Sequence, residues 1–399
     1  MPTPIIYMDN HATTRVDPRV LEAMLPYFTE EYGNAGSVGH PFGEHAREAV
    51  ERSRESIAVA IGADAPEIVF TSGATESNNL AIRGVAERSR RRGDHLVSVT
   101  TEHRAVLDPL ARLSRRDYEV TLLDVTPHSD RRAGCLDPER LAIAIRDDTC
   151  LLTVMLANNE IGVIQPLAEI AKHCRERGVL LHCDATQAAG KIPVDVKELG
   201  VDLMSFTAHK IYGPKGIGAL YVRRRDPIVR LEAQIAGGGQ QEGRRSGTLN
   251  VPGIVGFAKA LELCLAELPH EMERLAALRD RLWSELQARI DGIELCGPAL
   301  DERYPDGTPL RLPGNLNVTF GDVDGEALLL RMGNLAVSSG AACSSTDPEP
   351  SHVLRALGLN SDAARASLRF GLGRFNTADE VLVAATTVAA AVHELRELA

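Results

Sequence analysis

A lysine and an aspartate occupy places where an isolated charge would be costly. Lys210 follows the apolar run at 202–206 (DLMSF), and Asp184 follows another at 179–183 (VLLHC). Burial favours the neutral, nucleophilic form of an amine, and a buried carboxylate requires a cationic partner such as a pyridinium nitrogen. The pair therefore indicates Schiff-base chemistry, although a surface loop lysine fits the segment around Lys210 equally well.

Polar or small residues also follow three further apolar runs. Gly73, Ala74 and Thr75 form a turn into a helical stretch, where free N–H groups attract phosphate, although such turns often only cap a helix. His103 could cover an aromatic ring or shuttle protons, and Asn159 offers an amide to a phenolate oxygen. Each residue alone also fits a turn or a satisfied polar group. Five such places at five strand ends favour one shared site.

The apolar runs alternate with helical patterns, which predicts βαβ units. Strands separated by helices give an α/β fold with a largely parallel sheet, whose ligands bind at the carboxyl ends of the strands. Residues 167–177 have helical spacing, and residues from 254 onward predict one long helix or two helices separated near Pro269. The strand-like runs are 67–71, 96–100, 151–156, 179–183, 202–206 and 217–222.

Composition indicates an ordinary globular protein. The 399 residues suggest two or three lobes, with 44% hydrophobic and 25% charged residues. A net charge of −11 argues against nucleic-acid binding as the main activity, and the basic run at 88–92 is typical of a solvated helix end. The sequence predicts neither secretion nor a membrane span, because it has no signal-peptide pattern and no stretch of about 18 apolar residues.

The cysteines predict a reducing compartment, with the cytoplasm as the simplest setting. There are seven, an odd number, without a CxxC pair, so neither a disulfide framework nor a zinc module is expected. Six lie in or beside apolar runs and are predicted to be packing thiols. Cys343 differs, because it lies among small and polar residues at 338–350 (SSGAACSSTDPEP). We expect this segment to be a mobile tether.

These motifs, in this order, resemble the pyridoxal-phosphate-dependent cysteine desulfurases of the iron-sulfur-cluster-assembly type, in the class V aminotransferase family. The similarity extends from residue 7 to residue 375. It rests on TSGATESNN, TEHRAV, NNEIG, DATQ, HKIYGPKGIGALYV, RRSGTL, SSGAACSS and EPSHVLRALG. It implies the type I fold of pyridoxal-phosphate enzymes. A large domain at 16–260 would hold a mostly parallel seven-stranded sheet, and a smaller α+β domain, formed by 1–15 and 261–399, would carry the cysteine loop.

The resemblance also implies a role for each site residue. Lys210 would form the Schiff base and move the substrate's α-proton, Asp184 would meet the pyridine nitrogen, and His103 would stack on the ring and transfer protons. Arg369 would hold the substrate carboxylate, assisted by Asn159. The other implied cofactor contacts are Gln187 and Asn159 at the phenolic oxygen, Gly73, Ala74, Thr75, Thr207 and His209 at the phosphate, and Thr248 at the phosphate of the neighbouring subunit in a homodimer.

The implied reaction takes sulfur from L-cysteine, giving L-alanine and a persulfide on Cys343. The persulfide would pass to a protein acceptor such as an iron-sulfur cluster scaffold. No resident metal is implied; at most Cys343 ligates an iron-sulfur cluster transiently. No nucleic-acid or membrane partner is expected.

Several alternatives remain open at this point. A selenocysteine lyase, or a desulfurase that serves tRNA thiolation or DNA sulfur modification, would use the same residues. A simple aminotransferase is disfavoured because it has no use for Cys343. A scaffold without activity, binding assembly partners through its acidic surface, would lack the bound cofactor.

Overall fold

The computed structural model describes residues 5–89, 93–340 and 349–398. Its strands are β1 (Ile6–Tyr7), β2 (Ile68–Thr71), β3 (His95–Val99), β4 (Glu119–Leu123), β5 (Thr149–Met155), β6 (Leu180–Asp184), β7 (Leu203–Thr207), β8 (Gly218–Val222), β9 (Ile293–Leu295), β10 (Asn315–Phe320), β11 (Leu335–Ala336), β12 (Ser338–Ser339) and β13 (Ser367–Gly371).

The helices precede, connect and follow these strands. They are α1 (Pro18–Met24), α2 (Pro26–Thr29), α3 (Pro41–Ala60), α4 (Ala74–Ser89), α5 (Arg104–Ser114), α6 (Pro138–Ala144), α7 (Leu167–Arg177), α8 (Val196–Leu199), α9 (Val251–Gln287), α10 (Gly325–Arg331), α11 (His352–Ala356), α12 (Ser361–Arg365) and α13 (Ala378–Leu398). Short 3-10 helices occupy Ala65–Glu67, Ala208–Lys210 and Gln241–Gly243.

The larger sheet confirms the predicted α/β fold. Within the described residues it has seven strands in the order β2-β8-β7-β6-β5-β3-β4. All neighbouring pairs are parallel except those of β8, which runs antiparallel to β2 and β7. The six predicted strands lie within two residues of the observed ones. Strand β4 was missed because it lies at the sheet edge and is only partly buried, so its sequence lacks a continuous apolar run.

Helices cover this sheet as the helical patterns predict. Helix α7 has the predicted bounds, buries Leu167, Ile170 and Cys174, and ends at Gly178, whose φ of 66° suits a residue without Cβ. Helix α9 is a single helix that contains Pro269. Its first half packs in the core of the larger sheet. Its second half, with Leu282 and Leu286, packs in a second core.

The second core surrounds a smaller sheet. Strands β12, β13, β10 and β9 form it in that order, with antiparallel neighbours. Its core also includes Ile6 and Met8 from the start of the chain and Val381 and Val388 from α13. The domain boundaries at 15/16 and 260/261 stay a prediction, since α9 passes through residue 260 without interruption. In the described ranges, no helix combines the length and apolar character needed to span a bilayer.

Candidate active site

A cavity of about 650 Å³, the main cavity, lies at the carboxyl ends of β5, β6 and β7 and at the turn between β2 and α4. It brings together residues from distant parts of the chain, as expected for an α/β sheet. Among the described residues, every predicted site residue except Thr248 lines it. The predicted residues in its wall are Gly73, Ala74, Thr75, His103, Asn159, Asp184, Gln187, Thr207, His209, Lys210 and Arg369.

Asp184 ends β6 and is 5% exposed. Asn78 Nδ2 donates to its Oδ2 over 2.7 Å, and the main-chain N–H of Thr186 donates to its Oδ1 over 2.9 Å. A carboxylate has about four lone-pair sites, so acceptor capacity remains after these two bonds. Asp184 is therefore a fixed acceptor that can take a further N–H group from a ligand in the cavity.

Lys210 ends the 3-10 helix that follows β7. Its amine donates to the main-chain carbonyls of His11 and Ala12. Burial, with a further contribution from the positive charge of Arg369, lowers the pKa of Lys210 to about 8. A neutral amine is thus accessible near physiological pH, as nucleophilic attack on an aldehyde requires.

The first turn of α4 faces the same cavity from another side. Gly73 and Ala74 line it, and the first N–H groups of a helix have no partner within the helix. The Thr207 hydroxyl donates to the Ile217 carbonyl over 2.9 Å. Burial and nearby lysines, with Lys210 the foremost, lower the pKa of His209 to about 4. The Thr207 hydroxyl and the neutral His209 ring thus lie in the cavity wall together with a helix start, a combination that suits phosphate.

His103 caps the start of α5. Its Nδ1 accepts a 3.0 Å hydrogen bond from the main-chain N–H of Ala105, so the neutral ring carries its proton on Nε2. Burial lowers the pKa of His103, and Asp184 opposes that shift. Because its pKa lies below the ordinary value, the ring is neutral at pH 7, with Nε2–H as its donor and Nδ1 engaged as an acceptor.

Arg369 lies on β13 of the smaller sheet, and its side chain lines the main cavity. Its Nη2 donates to Asp9 Oδ1 and to Ser338 Oγ, each over 2.8 Å, and its Nη1 donates to the Asn159 carbonyl over 3.1 Å. Its buried Nε has no partner among the described residues. The guanidinium is therefore held in place by one edge while a donor remains for a ligand carboxylate.

A second cavity, of about 260 Å³, adjoins the first and shares His103, Asn159 and Arg369 with it. Gly340 and Glu349, which flank residues 341–348, both line it. Cys343 and most of the predicted mobile segment 338–350 lie outside the described residues. Thr248 is exposed and stands apart from both cavities of its own chain.

Sequence reasoning missed a buried network behind Gln187. Gln187 Oε1 accepts from Lys191 Nζ over 2.7 Å and lies 3.0 Å from His11 Nδ1, while Gln187 Nε2 donates to the His11 carbonyl over 2.9 Å. Burial and the charge of Lys210 lower the pKa of Lys191 to about 7. These bonds orient the carboxamide of Gln187. Lys191, in the weakly polar stretch AAGKIP, was the only available signal in the sequence.

Comparisons with known proteins agree with this arrangement. The family model for aminotransferase class-V matches residues 6–383. The chain is 55% identical over 393 residues to a protein named cysteine desulfurase IscS from Anaeromyxobacter sp. (strain Fw109-5), covering 98% of this chain and 94% of that relative. Among solved structures, a NifS-like protein has a TM-score of 0.88 at 36% identity, covering 98% of this chain and 100% of that one. A structure described as SspA in complex with cysteine has a TM-score of 0.78 at 34% identity, covering 93% and 99%. The chain belongs to the class V aminotransferase family and, within it, to the cysteine desulfurases.

Proposed function

We propose that this protein removes sulfur from L-cysteine, leaving L-alanine and a persulfide on Cys343. The observation that carries the proposal is the meeting of Lys210, Asp184 and Arg369 in one cavity, beside a second cavity lined by both residues that flank 341–348. An amine of lowered pKa, a fixed carboxylate and a carboxylate-binding arginine are the groups that amino-acid chemistry on a pyridoxal cofactor needs.

The residues of the main cavity fit pyridoxal 5'-phosphate. Asp184 keeps acceptor capacity for a pyridinium N–H, and the start of α4, with Thr75, Thr207 and His209, suits a phosphate. Asn159 and Gln187 also line the cavity and would bind the phenolic oxygen. When bound, the group accepts the electron pair that is left when the Cα–H bond of the substrate breaks.

The side chains of this chain would carry out the remaining steps. Arg369 would bind the substrate carboxylate, and the Lys210 amine would take the α-proton of the substrate. His103 would move protons at the substrate. As the pKa of Lys210 is lowered to about 8, roughly a tenth of its amine is neutral at pH 7 and can accept a proton, far more than for a free lysine.

Sulfur transfer would then occur at Cys343. Its thiolate attacks the substrate sulfur, an S–S bond forms, and the Cβ–S bond breaks with its electron pair staying on the carbon skeleton. Protonation of that skeleton gives alanine. Gly340 lines the cavity next to the active site and precedes Cys343 by three residues, a span of at most about 10 Å in an extended chain. This proximity supports Cys343 as the sulfur carrier.

The persulfide would pass to an acceptor protein, for which we propose an iron-sulfur cluster scaffold. A supply for tRNA thiolation or DNA sulfur modification uses the same site chemistry and is the alternative. We further propose a cytoplasmic setting, since the six described cysteines are free, as is usual for proteins of a reducing compartment.

A homodimer is the proposed assembly. Thr248 is exposed in the single chain, which supports the proposal that its hydroxyl serves the phosphate of the neighbouring subunit. Light scattering should give twice the 43.1 kDa mass of the chain. Thr248→Ala should weaken cofactor binding without dissociating the dimer. A monomer with full cofactor affinity would contradict this assembly.

The activity is tested by incubating the purified, cofactor-loaded protein with L-cysteine. We expect a yellow protein, equal amounts of L-alanine and transferred sulfur, and a mass increase of one sulfur atom on Cys343. Parallel turnover of L-selenocysteine distinguishes a selenocysteine lyase, which would strongly prefer that substrate. A colourless protein that makes no alanine would instead support the inactive scaffold.

A further inference from the structure

Glu76 places a carboxylate in the first turn of α4, in the wall of the main cavity. Its Oε2 accepts a 2.8 Å hydrogen bond from the main-chain N–H of Ser72, which belongs to the turn between β2 and α4. The side chain is 17% exposed. Glu76 therefore fixes the turn, but it also places a negative charge beside the proposed phosphate position, where two anions would repel each other.

Arg245 neutralises this carboxylate. Its Nε donates to Glu76 Oε1 over 2.7 Å and its Nη2 donates to Glu76 Oε2 over 3.1 Å, which is the bidentate geometry of a strong pair. The Arg245 side chain is 20% exposed. Burial opposes the charge on Glu76, but the hydrogen bonds from Arg245 and Ser72 outweigh it and lower the pKa of Glu76. The carboxylate stays charged and paired.

Arg245 lies far from Glu76 in the sequence, and its segment is anchored to β2 by contacts that do not involve Glu76. Gln241, four residues earlier, is bonded to β2 at Phe70: its Oε1 accepts from the Phe70 N–H over 2.7 Å, and its Nε2 donates to the Phe70 carbonyl over 2.8 Å. Arg245 itself does not line the main cavity. Its hydrogen bonds to the cavity wall are those to Glu76.

We propose that Arg245 is a positioning residue for the cofactor phosphate: by pairing with Glu76 it lets that carboxylate hold the Ser72–Gly73 turn without repelling the phosphate. The inference rests on the proposed function, since the phosphate is that of pyridoxal 5'-phosphate. In this proposal the ion pair between Arg245 and Glu76 affects the affinity for the phosphate and leaves the reaction of the amino acid unchanged.

The test compares four full-length proteins freed of cofactor: wild type, Arg245→Met, Glu76→Gln, and the double variant. Dissociation constants are measured by absorbance titration with pyridoxal 5'-phosphate and with pyridoxal, which lacks the phosphate. Inorganic phosphate is measured as a competitor. Arg245→Met should weaken pyridoxal 5'-phosphate and inorganic phosphate by at least about tenfold, since removing one partner of a close charge pair leaves the other uncompensated. Pyridoxal should bind all four proteins with similar affinity.

The double variant separates charge from structure. It removes the uncompensated carboxylate, while the carboxamide that Glu76→Gln introduces keeps an oxygen that can accept from Ser72. Its affinity for pyridoxal 5'-phosphate should therefore return to within about threefold of wild type. The inference is overturned if Arg245→Met binds the cofactor as wild type does, if pyridoxal weakens as much as the phosphorylated form, or if the double variant is no better than Arg245→Met. A wild-type protein that binds no pyridoxal 5'-phosphate would refute the proposed function instead.

Discussion

Arg369 Nη2 and Asp9 Oδ1 lie 2.8 Å apart, although 360 residues separate them in the sequence. The pair joins the start of the chain to β13 at the edge of the main cavity, and both side chains are largely buried. It holds one edge of the guanidinium, so the orientation of the remaining donors is set before any ligand arrives.

Arg369→Lys should raise KM for L-cysteine about a hundredfold with a smaller change in kcat. Lysine keeps the charge but loses the planar fork that binds a carboxylate and the bonds to Asp9 and Asn159. Steady-state kinetics of alanine formation measure this effect. Arg365→Lys, at a partly exposed arginine of helix α12, is the matched control and should behave as wild type. An unchanged KM in Arg369→Lys would exclude Arg369 as the carboxylate-binding residue.

Recombination of the cofactor with the cofactor-free protein should depend on pH through Lys210. Burial disfavours the charged amine, so the pKa of Lys210 falls to about 8, and the neutral, reactive form increases as pH rises through that value. Stopped-flow absorbance should therefore show a rate that rises between about pH 7 and 9 and then levels off. A free lysine would keep rising to about pH 10.4.

Lys210→Ala is the control for this pH dependence. It should bind the cofactor without the absorption band of the covalently held form and should make no alanine. If both the band and the reaction persisted, another amine would carry the cofactor.

Iodoacetamide at pH 7.5 should label Cys343 far faster than any other cysteine. The other six are buried, and burial raises their thiol pKa, to about 11 for Cys150 and Cys264 and to about 12 for Cys174 and Cys296. Thiolates are the reactive form, so these thiols stay inert in the folded protein. Peptide mass spectrometry locates the label.

Cys343→Ser should keep the bound cofactor but lose persulfide formation. Cys264→Ala is a suitable control, since that thiol is buried near Ile211 and should be dispensable for sulfur transfer. Full sulfur release by Cys343→Ser would show that a different residue carries the sulfur.

Asn78→Ala should weaken cofactor binding by about tenfold, because Asp184 would lose one of its two fixed donors. Absorbance titration measures the change. Asn79→Ala is the matched control on the same helix: its side chain donates to the Thr75 carbonyl and makes no hydrogen bond to Asp184. Equal losses in both variants would indicate a general weakening of α4 rather than a specific effect on Asp184.

The sequence was informative for residues that lie at the end of a strand or within a few residues after it. Asp184, Lys210 and His103 could be found because buried strands have apolar runs and their carboxyl ends meet at one edge of a parallel sheet. The sequence could not decide whether the residues around Pro269 form one helix or two. A proline signals a break, but tertiary packing can hold a helix across it.

Residues that act through partners far away in the chain could not be identified from the sequence. Asn78 lies within the quoted TSGATESNN motif, yet its bond to Asp184 spans 106 positions. Arg245 meets Glu76 across 169 positions, and nothing local distinguishes either residue from a solvated charge. Such pairs become visible only when the sheet order is known.

The carboxamide of Gln241 has a consequence for the sheet that carries the site. Strand β2 ends the seven-stranded order, and its outer edge offers N–H and carbonyl groups that another chain could use to add a strand. Gln241 occupies both groups of Phe70 with its own amide, as a neighbouring backbone would. Another strand therefore cannot pair with the main chain of Phe70 within this four-residue strand. This protects the protein against edge-to-edge aggregation at β2, the terminal strand of the sheet that carries the site.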